Sequence, residues 1–219
     1  MKKISEIKIL YFRKTLIEWF RDNGRHFRWR NNSATNYEKI ISEILLQRTK
    51  AETVAKFYPG FIKKYPSWKS LSRAKLEDLE TGFKKIGLYK QRAERVYRLA
   101  KEMKKRHGRL PKLKKDIEAI PAFGQYITNA VLLLVYGRPS PLLDVNMARV
   151  LERFFGPRML VDIRYDPYLQ NLAYEVVKHE DAKTINWAIL DFAALICKIR
   201  EPPCSKCPLL KKCNYFKNQ

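Results

Sequence analysis

Apolar residues recur along most of this chain at the three- and four-residue spacing of a helix, and no run alternates as a half-buried strand would. The stretch NYEKIISEILLQRTKAETVAKFYPGFIKKY predicts two helices that break near Thr49-Lys50. YKQRAERVYRLAKEMKKRHG predicts a basic amphipathic helix that Gly108 closes, and TINWAILDFAALIC predicts an apolar helix. Pairs such as Pro59-Gly60 fall between the patterns and indicate turns. No internal repeat is present, and the predicted fold class is all-α.

The N-terminal stretch MKKISEIKILYFRKTLIEWFRD predicts an amphipathic helix rather than a secretion signal, because charges interrupt it throughout. Its apolar residues are expected on one helical stripe: Ile4, Ile7, Leu10, Tyr11, Leu16, Ile17 and Phe20. No stretch reaches the roughly 20 uninterrupted apolar residues that a membrane span requires. We therefore expect a cytoplasmic, nucleoid-associated protein with no membrane contact.

The charge of the chain indicates the kind of partner it binds. The chain has 45 basic and 22 acidic residues, a net charge of +23, and its 46% hydrophobic content is enough to bury a core. A polyanion is the expected partner, because neutralised phosphates release counterions. The alternative is a lysine-rich, heat-resistant surface, although such surfaces usually gain glutamate together with lysine.

All four cysteines lie in one short segment, CKIREPPCSKCPLLKKC, with the spacing C-x6-C-x2-C-x5-C. In an intracellular protein, such clustering favours metal binding over disulfides. A zinc site would usually take two C-x2-C pairs, whereas uneven spacing suits a [4Fe–4S] cluster. Spacing alone leaves both metals open.

Five motifs in order resemble the endonuclease III and MutY group of DNA glycosylases, the helix-hairpin-helix (HhH-GPD) superfamily. They are HFRWR (26–30, with Arg28 where proline is usual), SEILLQRT (42–49), IGLYKQRAERV (86–96), IPAFGQY and LLDVNMARV, and the cysteine spacing resembles the same group. The resemblance covers nearly the whole chain. It implies two helical lobes with DNA bound between them: a six-helix barrel at 28–138, and a cluster lobe formed by 1–27 and 139–219. It also implies a monomer whose Cys197, Cys204, Cys207 and Cys213 bind a [4Fe–4S] cluster.

In IEAIPAFGQYITNAVLLLVYG, a tight turn leads into a helix, and the resemblance identifies it as the helix-hairpin-helix. Backbone amides around Ala122, Phe123 and Gly124, with the positive helix end, suit a DNA phosphate. Ala122 stands where the group usually has glycine. Glycine is expected at position 124 because a side chain there would collide with the turn or with the approaching DNA strand. The alternative is an ordinary helix–turn–helix corner.

Tyr126 occupies the position at which strand-cleaving members of the group have a lysine. That lysine attacks the sugar as an amine, and a phenol cannot form an imine. The resemblance therefore implies a monofunctional enzyme that leaves an abasic site. The alternative is that Tyr126 is a core aromatic residue at a helix start.

Asp144 is the main catalytic candidate. It is predicted at a helix N-terminus, where it could also be an N-cap. A carboxylate there would stabilise an oxocarbenium-like sugar and orient water. Asn146 and Arg149 are expected to support this segment and the nearby phosphate.

Glu43 lies in the motif that is similar to a base pocket, where it would hydrogen-bond the flipped base or the water. The alternative is an exposed helical glutamate. Gln47 and Leu88 match two positions that fill the gap left by an extruded nucleotide, and the alternative for Leu88 is a core residue.

The length, Tyr126, Glu43 and Asp144 together resemble Mig-type archaeal thymine-DNA glycosylases, which act on thymine opposite guanine. Uracil opposite guanine would fit the same pocket. Three alternatives stay open: a minimal MutY-like adenine glycosylase, a lyase for oxidised pyrimidines, and a catalytically idle iron–sulfur DNA-binding protein.

Overall fold

The computed structural model describes residues 5–217, and within that range it contains helices and loops but no β-strand. This confirms the all-α prediction. The α-helices are α1 (Glu6–Asn23), α2 (Asn36–Leu46), α3 (Ala51–Lys64), α4 (Trp68–Leu71), α5 (Leu76–Phe83), α6 (Tyr89–Lys105), α7 (Lys114–Glu118), α8 (Gln125–Leu134), α9 (Val145–Phe155), α10 (Pro167–Val177), α11 (Ala182–Leu195) and α12 (Asn214–Lys217). Residues 1–4 and 218–219, which the predicted cluster lobe includes, lie outside the described residues.

The chain forms two compact units. One comprises His26–Tyr136, with α2 to α8. The other comprises the described residues up to Arg25 together with those from Gly137 onward, with α1 and α9 to α12. Each unit has its own packed helices.

The His26–Tyr136 unit is built around a continuous apolar core to which every one of its longer helices contributes. Helix α2 begins with a capping box between Thr35 and Glu38, which satisfies amides at its N-terminus. It then buries consecutive positions from Ile40 to Leu45, because α3 and α8 both pack against it. A polar residue in this stretch is therefore forced into the interior.

The predicted break between α2 and α3 is observed at residues 47–50. The turn predicted at Pro59-Gly60 is wrong, since α3 continues through both residues. Both are exposed, while Val54, Tyr58 and Phe61 are buried on the opposite face. Packing of that face maintains the helix although Pro59 lacks an amide hydrogen.

Helix α1 buries a face that matches the predicted stripe only in part, at Leu16. It buries Ile9, Phe12 and Leu16, whereas Ile7 and Leu10 are 74% and 54% exposed. Both stripes contain apolar residues, and packing against α11 selects between them. Ile4, the first member of the predicted stripe, lies outside the described residues.

The other unit packs α1 and α9 against α11, with aromatic contacts such as Phe12 to Phe154 at a 5.0 Å centroid distance. The buried carboxylate of Asp191 accepts hydrogen bonds from the backbone and guanidinium of Arg25, just after α1. This contact ties the end of the N-terminal helix to α11. In residues 5–217, no helix is both long enough and apolar enough to span a membrane.

Candidate functional site

Glu43 and Tyr126 form a polar pair inside the His26–Tyr136 unit. Glu43 is only 4% exposed, because it lies on the buried part of α2. Tyr126, in the first turn of α8, donates a hydrogen bond from its hydroxyl to Glu43 Oε2 at 2.9 Å. The alternative of an exposed glutamate is wrong. The ring of Tyr126 packs on the core, but its hydroxyl reaches Glu43.

The turn between α7 and α8 has its left-handed residue at Ala122, with φ +70°. Phe123 is buried, and its amide donates to the carbonyl of Ile120 at 3.0 Å, so its ring and its amide are both engaged inside the protein. Gly124 has φ −85°, and a Cβ there would meet nothing within 4 Å. The expectation that turn geometry requires glycine at position 124 is therefore wrong, and the requirement falls on Ala122 instead.

Gly124 is the N-cap of α8, and its carbonyl accepts the amide of Thr128 at 3.0 Å. The positive end of the helix therefore lies at Gly124, which is exposed. This is a suitable position for an anion. The phosphate contact by Ala122, Phe123 and Gly124 stays a prediction.

Gln47 and Leu88 lie at the ends of helices in the same unit. Gln47 is the C-cap of α2 and is partly buried. Leu88 immediately precedes α6, with φ +50°, and is 46% exposed. The alternative of a core leucine is wrong, because the residue is nearly half exposed, and the DNA-binding role of Gln47 and Leu88 stays a prediction.

Arg92 lies within the motif at 86–96 but was not chosen as a candidate residue, although it contacts the loops that contain Gln47 and Leu88. It is 5% exposed, and its guanidinium donates to carbonyls in both loops. The signal was present in the sequence: Arg92 is four residues before Val96 and seven before Leu99, on the stripe that α6 buries.

Asp144 belongs to the other unit and is the N-cap of α9. Its Oδ1 accepts the amides of Asn146 and Met147 at 2.9 and 2.8 Å. Its Oδ2 accepts the side-chain amide of Asn146 at 2.7 Å. Three donors thus orient a half-buried carboxylate, and the N-cap interpretation is compatible with a catalytic one.

Arg149 supports the Asp144 segment from the next turn of α9. It donates to Asn146 Oδ1 at 3.1 Å and to the carbonyls of Cys197 and Ala193 at 2.9 and 3.1 Å. Burial lowers the pKa of Arg149 from its ordinary value. The DNA contacts proposed for Asn146 and Arg149 stay predictions.

The four cysteines are free thiols that line one small cavity of about 30 Å³. Apolar side chains, including Phe154, Phe192 and Leu209, complete its wall. Burial raises the pKa of Cys207 to about 11 and raises that of Cys197. Within residues 5–217, no group of three or more His, Cys, Asp or Glu side chains is arranged to hold a metal ion. By chemical type, although not by arrangement, thiols are the ligands that a soft metal centre takes.

The sequence of the chain matches a known protein family. The sequence profile described as "HhH-GPD superfamily base excision DNA repair protein" matches residues 41–160, more than half of the chain. This chain belongs to the HhH-GPD superfamily, which confirms the resemblance drawn from the motifs.

Individual relatives match over nearly the full length. The chain is 36% identical to a thymine-DNA glycosylase from Aeropyrum pernix, over 96% of this chain and 96% of the relative. It is 33% identical to a thymine/uracil-DNA glycosylase from Methanothermobacter thermautotrophicus, over 94% and 93%. A solved structure of a thermostable thymine-DNA glycosylase superposes with a TM-score of 0.88 at 32% identity, over 97% of this chain and 98% of the other.

Proposed function

We propose that this chain is a monofunctional DNA glycosylase of base excision repair that removes thymine, or uracil, mispaired with guanine in double-stranded DNA. The observation that carries the proposal is the hydrogen bond from Tyr126 to the buried carboxyl group of Glu43. A phenol at this position cannot form an imine with the sugar. Two relatives that match 96% and 94% of this chain are named for thymine and for thymine/uracil.

Asp144 is the proposed catalytic carboxylate. Water adds to C1′ of the deoxyribose, the N-glycosidic bond breaks, and the base leaves with a proton. Positive charge develops on the sugar during this step, so a carboxylate stabilises it and orients the water. The three donors on Asp144 support this role, because they fix the carboxylate before the substrate arrives.

Glu43 and Tyr126 are the proposed base-recognition pair. An extruded base is read by hydrogen bonds to its edge. Glu43 accepts from Tyr126, and its buried position supports selection by hydrogen bonding, because an unsuitable base edge would leave a buried polar group unsatisfied.

Double-stranded DNA with a mispair is the proposed partner, bound by a monomer. The net charge of +23 supports affinity for the phosphate backbone, and the positive end of α8 at Gly124 supports a register-setting phosphate contact.

A [4Fe–4S] cluster is the proposed cofactor, held by Cys197, Cys204, Cys207 and Cys213. Four free thiols around one cavity are the donor set that such a cluster takes. It supplies no step to a hydrolysis and would organise the basic C-terminal segment. The proposed domains are a six-helix barrel at 28–138 and a cluster lobe formed by 1–27 and 139–219. The proposed location of the protein is the cytoplasm, at the nucleoid.

The test is base release from labelled duplexes that contain T·G, U·G, A·G, A·8-oxoguanine or thymine glycol, each with and without hot alkali. Breakage of the T·G and U·G duplexes only after alkali is the expected result. Breakage of the adenine-containing strands would indicate an adenine glycosylase. Breakage without alkali would indicate that another amine of the protein replaces the missing lysine and cleaves the strand. No release from any duplex, with binding intact, would favour the idle DNA-binding protein.

A further inference from the structure

Gln47 and Leu88 lie in two short loops whose backbones are strained. The loop at residues 47–50 contains Arg48 with φ +57°. The other loop ends in Gly87 and Leu88, with φ +74° and +50°. Non-glycine residues in the left-handed region persist only where surrounding contacts fix them. Some other part of the unit must therefore hold these loops.

Arg92, in the first turn of α6, reaches both loops from the interior. Its Nη2 donates to the carbonyl of Gln47 at 2.8 Å and to the hydroxyl of Thr49 at 2.7 Å. Its Nη1 donates to the carbonyl of Ile86 at 3.0 Å and also to the carbonyl of Gly87. One buried guanidinium thus joins the loop of Gln47 to the loop of Leu88.

The chemistry of this joint suits arginine specifically. A guanidinium presents two separate terminal nitrogens in a fixed plane, whereas a lysine presents one. The Nη2 atom lies at the C-terminal end of α2, where unpaired carbonyls attract a cation. Thr49 completes the link, since its hydroxyl also donates to the carbonyl of Ile86 at 3.3 Å. Burial lowers the pKa of Arg92, and these acceptors offset the loss of hydration.

We propose that Arg92 is a positioning residue that holds the Gln47 and Leu88 loops at one fixed spacing, so that both side chains enter the duplex together when a nucleotide is extruded. Arg92 is buried and acts through the loops. The inference rests on the proposed function, in which Gln47 and Leu88 fill the gap. Extrusion has to overcome unstacking, and loops ordered in advance avoid a further loss of entropy at that moment.

The test compares Arg92→Gln and Arg92→Lys with Arg98→Gln as a matched control. Arg98 is on the same helix, but it is exposed and pairs with Glu94, so its loss removes the same charge without touching either loop. Arg92→Lys retains the charge but has only one nitrogen, and it serves as the test variant if Arg92→Gln does not fold.

Three measurements are made on each variant. Hydrogen exchange of the DNA-free protein follows peptides that cover residues 44–50 and 84–90, which is independent of any activity. Fluorescence of a base analogue beside a T·G mispair reports extrusion, and single-turnover base release is measured on the same duplex.

Faster exchange in both loops, with extrusion and base release each reduced about tenfold, is expected for both Arg92 variants and not for Arg98→Gln. The proposal would be overturned if a folded Arg92 variant showed the wild-type rate of hydrogen exchange in either loop. It would also be overturned if exchange changed but the extent of nucleotide extrusion stayed at the wild-type level. If wild-type protein released no base from any duplex, the proposed function would fail. The exchange and fluorescence results would still decide whether Arg92 couples the loops.

Discussion

The hydroxyl of Tyr126 donates a hydrogen bond to Glu43 at 2.9 Å, joining the first turn of α8 to the buried face of α2. The two helices pack directly on each other, so the core of the unit fixes this pair rather than a loop. Buried polar groups are retained at a cost in stability unless they are satisfied. A substitution at position 126 therefore changes the functional group beside Glu43, while the packed helices α2 and α8 keep its position.

Replacing Tyr126 with lysine is expected to add strand cleavage to base removal. An amine beside Glu43 can attack C1′, displace the base and form an imine with the sugar, after which the strand breaks. The measurement is borohydride trapping of a covalent protein–DNA adduct on a T·G duplex.

Tyr126→Phe is the matched control, because it keeps the ring and has no nucleophile. It should give no adduct, and base release should fall about tenfold through loss of one hydrogen bond to Glu43. A lysine variant that folds and binds the duplex but forms no adduct would show that the side chain at position 126 does not reach the sugar.

Asp144→Asn is expected to lower base release by a factor of about 10²–10³ while leaving mismatch binding and stability nearly unchanged. Asparagine is as good an N-cap as aspartate, so its oxygen can still accept the amides of Asn146 and Met147. The substitution thus removes the charge without removing the cap. Single-turnover kinetics, duplex affinity and the thermal midpoint are compared, and an active Asp144→Asn protein would exclude the catalytic role.

Asp144→Ala separates the two roles of this residue. It removes the cap as well as the charge, and should also cost about 1 kcal/mol of unfolding free energy. A stability equal to that of Asp144→Asn would contradict the capping geometry.

The sequence was sufficient to predict several elements, because local signals and tertiary packing agree there. The break at residues 47–50 and the N-cap at Asp144 are examples. The buried face of α1 was predicted only in part: Leu16 is buried as expected, but two stripes are apolar and only packing on α11 chooses Phe12 over Leu10. Propensity also failed at Pro59, where the packed face of α3 prevails.

The candidate site shows the same division. Motifs identified Glu43 and Tyr126, but their hydrogen bond depends on the packing of α2 against α8. Arg92 was missed because arginine in a basic helix is usually exposed. Only its position on the stripe that α6 buries distinguishes it from its basic neighbours such as Arg95 and Arg98.

Protein purified without oxygen is expected to contain about four iron and four sulfide ions per chain, as a [4Fe–4S] cluster requires. Cys207→Ser should lower the iron content and the thermal midpoint, because metal binding contributes to folding. Ser205→Ala, at an exposed neighbouring position, is the control and should leave both unchanged. One zinc ion in place of iron would contradict the proposed cofactor. Elemental analysis and visible absorption make the distinction.

Asp191→Asn is expected to lower the unfolding free energy by about 3 kcal/mol, because the guanidinium of Arg25 would lose a buried ionic partner. Both carboxylate oxygens of Asp191 accept hydrogen bonds from Arg25, at 2.8 and 2.9 Å. The measurement is the denaturant midpoint at constant slope. Asp162→Asn is the control, since the Asp162 pair with Arg164 is exposed and should leave the midpoint unchanged. Equal effects of the two substitutions would contradict the importance of burial.

Ala122→Gly is expected to stabilise the protein, and Gly124→Ala is expected to weaken DNA binding without unfolding it. Ala122 has φ +70°, so glycine should relieve strain and add about 0.5–1 kcal/mol to the unfolding free energy. Gly124 has φ −85° and open space where a Cβ would lie, so alanine should fold normally.

A phosphate that approaches the N-terminus of α8 would meet the added methyl group of Gly124→Ala, and affinity for any duplex should fall about tenfold, with or without a mispair. Ala122→Gly should bind like the wild type, which makes it the control for changes in the turn. Denaturant unfolding and duplex titration are carried out on both variants. If the Gly124→Ala protein bound DNA with wild-type affinity, the phosphate would have to bind elsewhere, because the added methyl group would not have met it.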